Sequence, residues 1–215
     1  MEYSFHIYNK LAADGISVAT DRLLSANFLY GKGKRTGAGT RSSHSETHID
    51  DCKDAGKQPP VVVCVGSDLA IGDSLGPIVG SMLKYKTQGL ELYIYGTLAA
   101  PVTAKEIPYM QTFLKETHKG SQILAVDAAV GEKGDIGLIR ISDTPLMPGA
   151  GANKKLGALG DIAVMGIVAE KSVSNYGLLS STRLNLVYTM AEIISEGVAS
   201  LLWERCAREK ENTVG

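Results

Sequence analysis

Net charge is almost absent from this sequence of 215 residues: 22 lysines and arginines stand against 23 aspartates and glutamates. A chain so balanced has no global electrostatic attraction to nucleic acid or to an anionic membrane surface. Long apolar runs are also missing. None approaches the roughly 20 residues that span a bilayer, and residues 1–10 mix His, Asn and Glu with aromatics instead of forming the apolar centre of a signal peptide. Cysteine is scarce: Cys52, Cys64 and Cys206 are odd in number and form no Cys-x-x-Cys pair. That excludes a disulfide framework and points to a reducing, cytoplasmic setting.

Several chemical signatures are missing too. The Gly/Ser/Thr/Lys/Arg tract Gly31–Ser45 is not closed by the Gly-Lys-Ser/Thr of a phosphate loop. His44-Ser-Glu-Thr-His48 lacks the Glu that directly follows the first His in a zincin helix. A Ser–His–acid triad is hard to build, because His6, His44 and His48 lie in the first 57 residues and His118 ends a helix before a strand. Cys64 falls inside an apolar run, which suits core packing better than nucleophilic attack.

What is present is a normal core-forming composition, 44% hydrophobic and 21% charged. From Pro59 onward strand and helix patterns alternate. Val61–Val65 reads as a strand buried on both faces. Leu75, Val79, Met82 and Leu83 share a helical face, Leu90–Tyr95 reads as a strand, and Ile107, Met110 and Leu114 mark a helix. Gln122–Val126 is a short strand ending at Asp127, Ile136–Ile141 and Ile162–Val168 are further strands, and residues 182 to about 208 keep the helical period longest. This alternation predicts a three-layer α/β/α sandwich with a mostly parallel central sheet. Residues 1–57 read as an N-terminal arm with a weak helical pattern at Ile16, Ala19, Leu23 and Leu24, and residues 58–215 as the domain proper.

The loop after Val65 carries Asp68 and, beyond Gly72, Asp73; Asp127 directly follows Val126. In a parallel sheet these acids project from one edge and converge across a crevice. An acid placed directly after a buried strand is costly unless it is solvated, bonded or working. The competing explanation is local: Asp73 caps the helix that starts at Leu75, and Asp127 caps a turn.

The runs Val63-Cys-Val-Gly-Ser-Asp-Leu-Ala-Ile-Gly-Asp-Ser-Leu-Gly-Pro77, Tyr95-Gly-Thr97, Ile123-Leu-Ala-Val-Asp127-Ala, Pro148-Gly-Ala-Gly-Ala-Asn-Lys154 and Thr182-Arg-Leu-Asn185 resemble the YyaC-type sporulation proteins, often called spore proteases. More distantly the chain resembles the spore germination protease and the hydrogenase maturation endopeptidases. The resemblance implies a phosphorylase/hydrolase-like fold and a peptidase that cuts a protein or peptide substrate with a catalytic pair, Asp73 and Asp127. It implies Asp68 as a supporting neighbour, and a loop carrying Gly149, Gly151, Asn153 and Lys154 that lines the substrate. It also implies the cytoplasm of a sporulating cell, forespore or mother cell, and residues 1–57 as a removable pro-segment, with a docking arm as the alternative. Hydrogenase maturation enzymes add a histidine to their acids to hold a metal, and no histidine follows Asp127 here. No cofactor is therefore expected. A metal site, if built, would use Asp68, Asp73 and Asp127, whose oxygen ligands suit Mg²⁺, Ca²⁺ or Mn²⁺. A non-catalytic binding protein on the same fold and a metal-binding maturation-type endopeptidase are the alternatives. No nucleic-acid or membrane partner is expected, and the choice between monomer and homo-oligomer is open.

Overall fold

The structure is a computed structural model, and it describes residues 1–29, 58–148, 156–171 and 182–214. In chain order the elements are β1 (Glu2–His6), α1 (Ala12–Leu29), β2 (Val61–Cys64), α2 (Leu75–Lys86), β3 (Tyr93–Tyr95), α3 (Ile107–Thr117), β4 (Ile123–Gly131), β5 (Leu138–Ser142), β6 (Ile162–Glu170) and α4 (Leu184–Val214). A 3-10 turn, Gly72–Ser74, leads into α2. The six strands form one sheet in the order β1-β5-β6-β4-β2-β3. β3, β2, β4 and β6 are mutually parallel, whereas β5 is antiparallel to both β6 and β1.

Alternation along the central strands separates two cores. Val62 and Cys64 of β2, Leu124 and Val126 of β4, and Ile162 and Val164 of β6 face a large cluster shared with α1, α2 and α4. Val61, Val63, Ala125 and Ala163 face a smaller one with Ile107, Met110 and Leu114 of α3 and with Leu146 and Leu159. The three-layer α/β/α architecture with a mostly parallel sheet is therefore present. α4 is long and apolar enough to cross a membrane by length and composition. Its apolar stripe, Val187, Met190, Ala191, Ile194, Val198 and Leu201, is instead buried against the sheet and its neighbouring helices.

The expected boundary between residues 57 and 58 needs correction for residues 1–29. β1 pairs with β5 from Glu2↔Ser142 to His6↔Leu138, and Ile16, Ala19, Leu23 and Leu24 of α1 are buried in the larger core. An edge strand and a core helix belong to the domain, so removing them would expose its apolar interior. Gly31–Ser45, His44, His48 and Cys52 lie outside the described residues. Two strands also differ from expectation. β3 is limited to three residues, and β4 does not end at Asp127 but runs on to Gly131, paired with β6 as far as Gly131↔Glu170.

The route of the chain creates a crevice. β2 leads through α2, on the large-core side, to β3 on one flank; α3, on the other side of the sheet, carries the chain back across β2 to β4 on the opposite flank. The connections diverge at the carboxyl ends of β2 and β4. In open α/β sheets such switch points are where ligands bind.

Candidate functional site

Gly66 ends β2 with φ of 142°, and an added Cβ would lie 2.1 Å from the Asp73 carbonyl oxygen. No side chain fits there, so the loop folds tightly back onto the strand end. The Ser67 N–H donates to the Asp73 carbonyl at 3.1 Å, and the Ser67 Oγ accepts from the Leu69 N–H at 3.2 Å. Gly76, in the first turn of α2, packs so closely on β2 that a Cβ would meet the Val65 carbonyl oxygen at 2.0 Å. Together these contacts hold the 3-10 turn, with Asp73 at its centre, against β4.

Asp127 arrives from the other strand. β2 pairs with β4 only through Cys64↔Val126, closed by the Val65 N–H donating to the Val126 carbonyl at 2.7 Å. One residue further, Asp127 has a strand neighbour only in β6, where its register partner is Met165. Its Oδ1 accepts from the N–H of Ala128 at 2.8 Å.

Both carboxyls are half-buried, and burial raises both above the ordinary carboxylate range. For Asp73 burial dominates, partly offset by a backbone N–H of Ser67. For Asp127 burial comes first and the charge of Asp73 second, against a smaller opposing effect from the Ala128 N–H; the result lies well above the usual value. The charge of Asp73 thus adds to burial in favouring the protonated form of Asp127. Asp73 sits one residue before the Ser74 that precedes α2, and no side chain caps that helix. The capping explanation for Asp73 is not observed, and the depression expected from the helix N-terminus is outweighed by desolvation. Asp127 caps no turn either, since it lies mid-strand.

Asp68 is exposed on the loop. Among the described residues no three His, Cys, Asp or Glu side chains are gathered to hold a metal, so Asp68, Asp73 and Asp127 do not form such a group. Gly149, Gly151, Asn153 and Lys154 lie outside the described residues. Cys64 is fully buried, and burial pushes its thiol far up, as a core residue requires. His118, at the end of α3, is buried beside Tyr93 and Phe113 and shares a 2.7 Å hydrogen bond with the Tyr95 hydroxyl. It follows the helix that descends to the start of β4, away from the acids. Sequence reasoning missed the Ala128 amide and the Ser67 amide. Backbone donors leave no mark on residue type; the only available signal was their position next to each acid.

Residues 41–197 match the family described as "Protein of unknown function (DUF1256)". The chain belongs to this family. Both acids and Gly66 fall within the DUF1256 span, whereas β1 and α1 lie before it. The chain is 44% identical over 147 residues to the Bacillus subtilis "Uncharacterized protein YyaC", covering 68% of this chain and 71% of that one. Among solved structures it is similar to the NiFe hydrogenase maturation protease HycI from Thermococcus kodakarensis, with 19% identity and a TM-score of 0.45, over 69% of this chain and 94% of the other.

Proposed function

We propose that this DUF1256 protein is a peptidase that hydrolyses a peptide bond with the Asp73–Asp127 pair, in the cytoplasm of a sporulating cell. The observation that carries this reading is the packing of the turn that bears Asp73 against the strand that bears Asp127 at the switch point of the sheet, with both carboxyls half-buried and raised by burial. Structural ion networks bring opposite charges together; like charges held in a cleft are the arrangement acid–base chemistry uses.

The position of each acid in the fold suggests the roles. Asp73 lies in the turn that leads into the N-terminus of α2, where the helix dipole favours the ionised form, so it is the base and Asp127 is the acid. Asp73 takes a proton from water as the water oxygen bonds to the scissile carbonyl carbon. Asp127, still protonated, donates a hydrogen bond to the developing oxyanion. The C–N bond then breaks as Asp127 gives its proton to the leaving amine. The proton on Asp73 returns to Asp127, and the pair is restored with one acid and one amine released. Activity then requires one proton on the pair, so its pH profile is bell-shaped. Both limbs lie above the ordinary carboxylate range, because both groups are raised.

The test is to incubate spore and forespore protein extracts with the wild type, Asp73→Asn and Asp127→Asn, and to sequence new N-termini. The expected result is a defined set of cuts with wild type and none with either variant. Cuts that persist in both variants would remove the pair from the mechanism. The absence of any cut with wild type would leave a binding protein on this fold.

A further inference from the structure

Alternation of backbone groups along β4 shows what the end of β2 leaves open. The carbonyls of Gln122 and Val126 accept from β2, from the N–H groups of Val61 and Val65. Those of Ile123 and Gly131 accept from the other side, from Asp161 and Lys171 at the two ends of β6. Even-numbered residues of β4 therefore direct N–H and C=O toward β2, and odd-numbered ones toward β6. Past Val126 this even-numbered edge continues with Ala128 and Val130, but β2 has already turned away at Gly66. The consequence is visible at Ala128: among the described residues no strand pairs with it on this side, and its N–H is satisfied by the neighbouring Asp127 carboxylate. Residues 127–131 are all half-buried.

We propose that the β4 edge from Ala128 to Val130 binds an extended peptide, which adds to the sheet as a strand in the place that β2 vacates. The occupant follows from the hydrogen-bond register. The edge continues the β2–β4 ladder and presents a donor and acceptors at every second residue, the spacing that peptide main chain matches irrespective of side chains. A peptide carbonyl on the Ala128 N–H replaces the carboxylate there. It frees Asp127 Oδ1 and sets the substrate backbone directly beside the acid pair. The proposal rests on the peptidase reading for which bond is cut; the strand addition itself needs no hydrolysis.

The probe is an array of overlapping octapeptides tiling unfolded β-casein, presented to the full chain carrying Asp73→Asn and Asp127→Asn so that nothing is cut. The best-bound peptide is then N-methylated one residue at a time. Strand addition predicts at least a 10-fold loss of affinity for N-methylation at alternate residues of the central segment and changes within 2-fold at the residues between. It also predicts a shift of the Ala128 amide resonance on binding. Equal effects at both parities, or no octapeptide bound at 1 mM, would overturn it. Ala128→Pro, which removes the donor, is expected to weaken the wild-type interaction at least 10-fold. If that variant misfolds, the N-methyl series on the otherwise unaltered edge still decides. Parity-dependent binding without any cleavage by wild type would keep the edge and defeat the peptidase reading. Cleavage without parity dependence would do the reverse.

Discussion

Asp21 and the Asp73–Asp127 pair are all partly buried acids, and the molecule treats them in opposite ways. Asp21 of α1 lies under the far end of α4, where Arg205 Nε donates to its Oδ1 at 2.7 Å and Arg208 donates to both carboxylate oxygens at 3.1 and 3.2 Å. Burial alone would raise the Asp21 carboxyl, but the Arg205 hydrogen bond and charge, followed by those of Arg208, bring it below its ordinary value. Arg205 also donates to Gln122 Oε1 at 2.8 Å, and Gln122 donates to the Leu24 carbonyl at 3.0 Å. The network therefore ties α1 and α4 to the start of β4. Asp73 and Asp127 receive no such partner: among the described residues no basic side chain forms an ion pair with either. One cluster contributes stability, whereas the other retains its desolvation penalty, and this contrast supports the proposed catalytic pair.

The comparison breaks most visibly in catalysis. Neutralising either member of the pair, Asp73→Asn or Asp127→Asn, is expected to lower the rate of peptide cleavage by about 10²–10⁴-fold, roughly 3–5.5 kcal/mol of barrier. Arg205→Ala at the structural cluster is expected to leave the rate per folded molecule unchanged, since nothing in that network touches the cleft. Initial rates normalised to folded protein by circular dichroism check both halves. A rate lost equally in Arg205→Ala would erase the distinction between the clusters.

The second largest effect is on stability and falls on the other cluster. Arg205→Ala removes charge-assisted hydrogen bonds from partly buried groups and is expected to cost about 2 kcal/mol in urea unfolding. Its pH dependence follows from the lowered Asp21 carboxyl. The stabilisation is fully present above the ordinary aspartate range and is lost as pH falls through the folded value. The variant and the wild type should converge in acid. A gap that stays constant down to strongly acidic pH would mean that packing of the arginine stem, not its charge, supports α4.

The sign reverses at the acid pair. Asp127 is raised in the folded state, so its contribution favours folding below the ordinary aspartate range and is lost as pH rises through the folded value. Asp127→Asn removes that loss while keeping an acceptor for the Ala128 N–H. The variant is expected to be more stable than wild type at neutral pH, by roughly 0.5–2 kcal/mol, the usual gain when a functional site is relaxed. The difference should vanish in acid. Thermal melts at about pH 2.5 and pH 7.5 test it, and a variant that is less stable at pH 7.5 would contradict the uncompensated charge on which the contrast depends.

The two regions were unequally legible in the sequence. Val61–Val65 is apolar at every position because β2 is covered on both faces, and that continuous run placed the strand and the crevice edge. Asp73 and Asp127 stood out because each interrupts apolar text. The stretch Asp127-Ala-Ala-Val-Gly131 did not read as strand, since an acid, two alanines and a glycine carry weak β preference. It is held by pairing with β6, a tertiary contact. β1 was hidden for a related reason: an edge strand, half-exposed along its length, leaves no strong apolar pattern. The Asp21–Arg205 pairing spans 184 residues and leaves no local trace at all.

Asp68 gives the smallest and most discriminating test, because it shares a loop with Asp73 but not its environment. It is exposed and belongs to no group of three candidate metal ligands among the described residues. Asp68→Asn is therefore expected to change stability by no more than about 0.5 kcal/mol, the usual limit for a surface position. If Asp68 acts as a supporting neighbour that meets the substrate, its loss should raise KM severalfold and leave kcat within about 2-fold, the pattern of an interaction made equally in ground and transition states. A fall in kcat comparable to that of Asp73→Asn would instead place Asp68 among the reacting groups. The contrast between paired and unpaired acids would then have to be redrawn around three carboxylates.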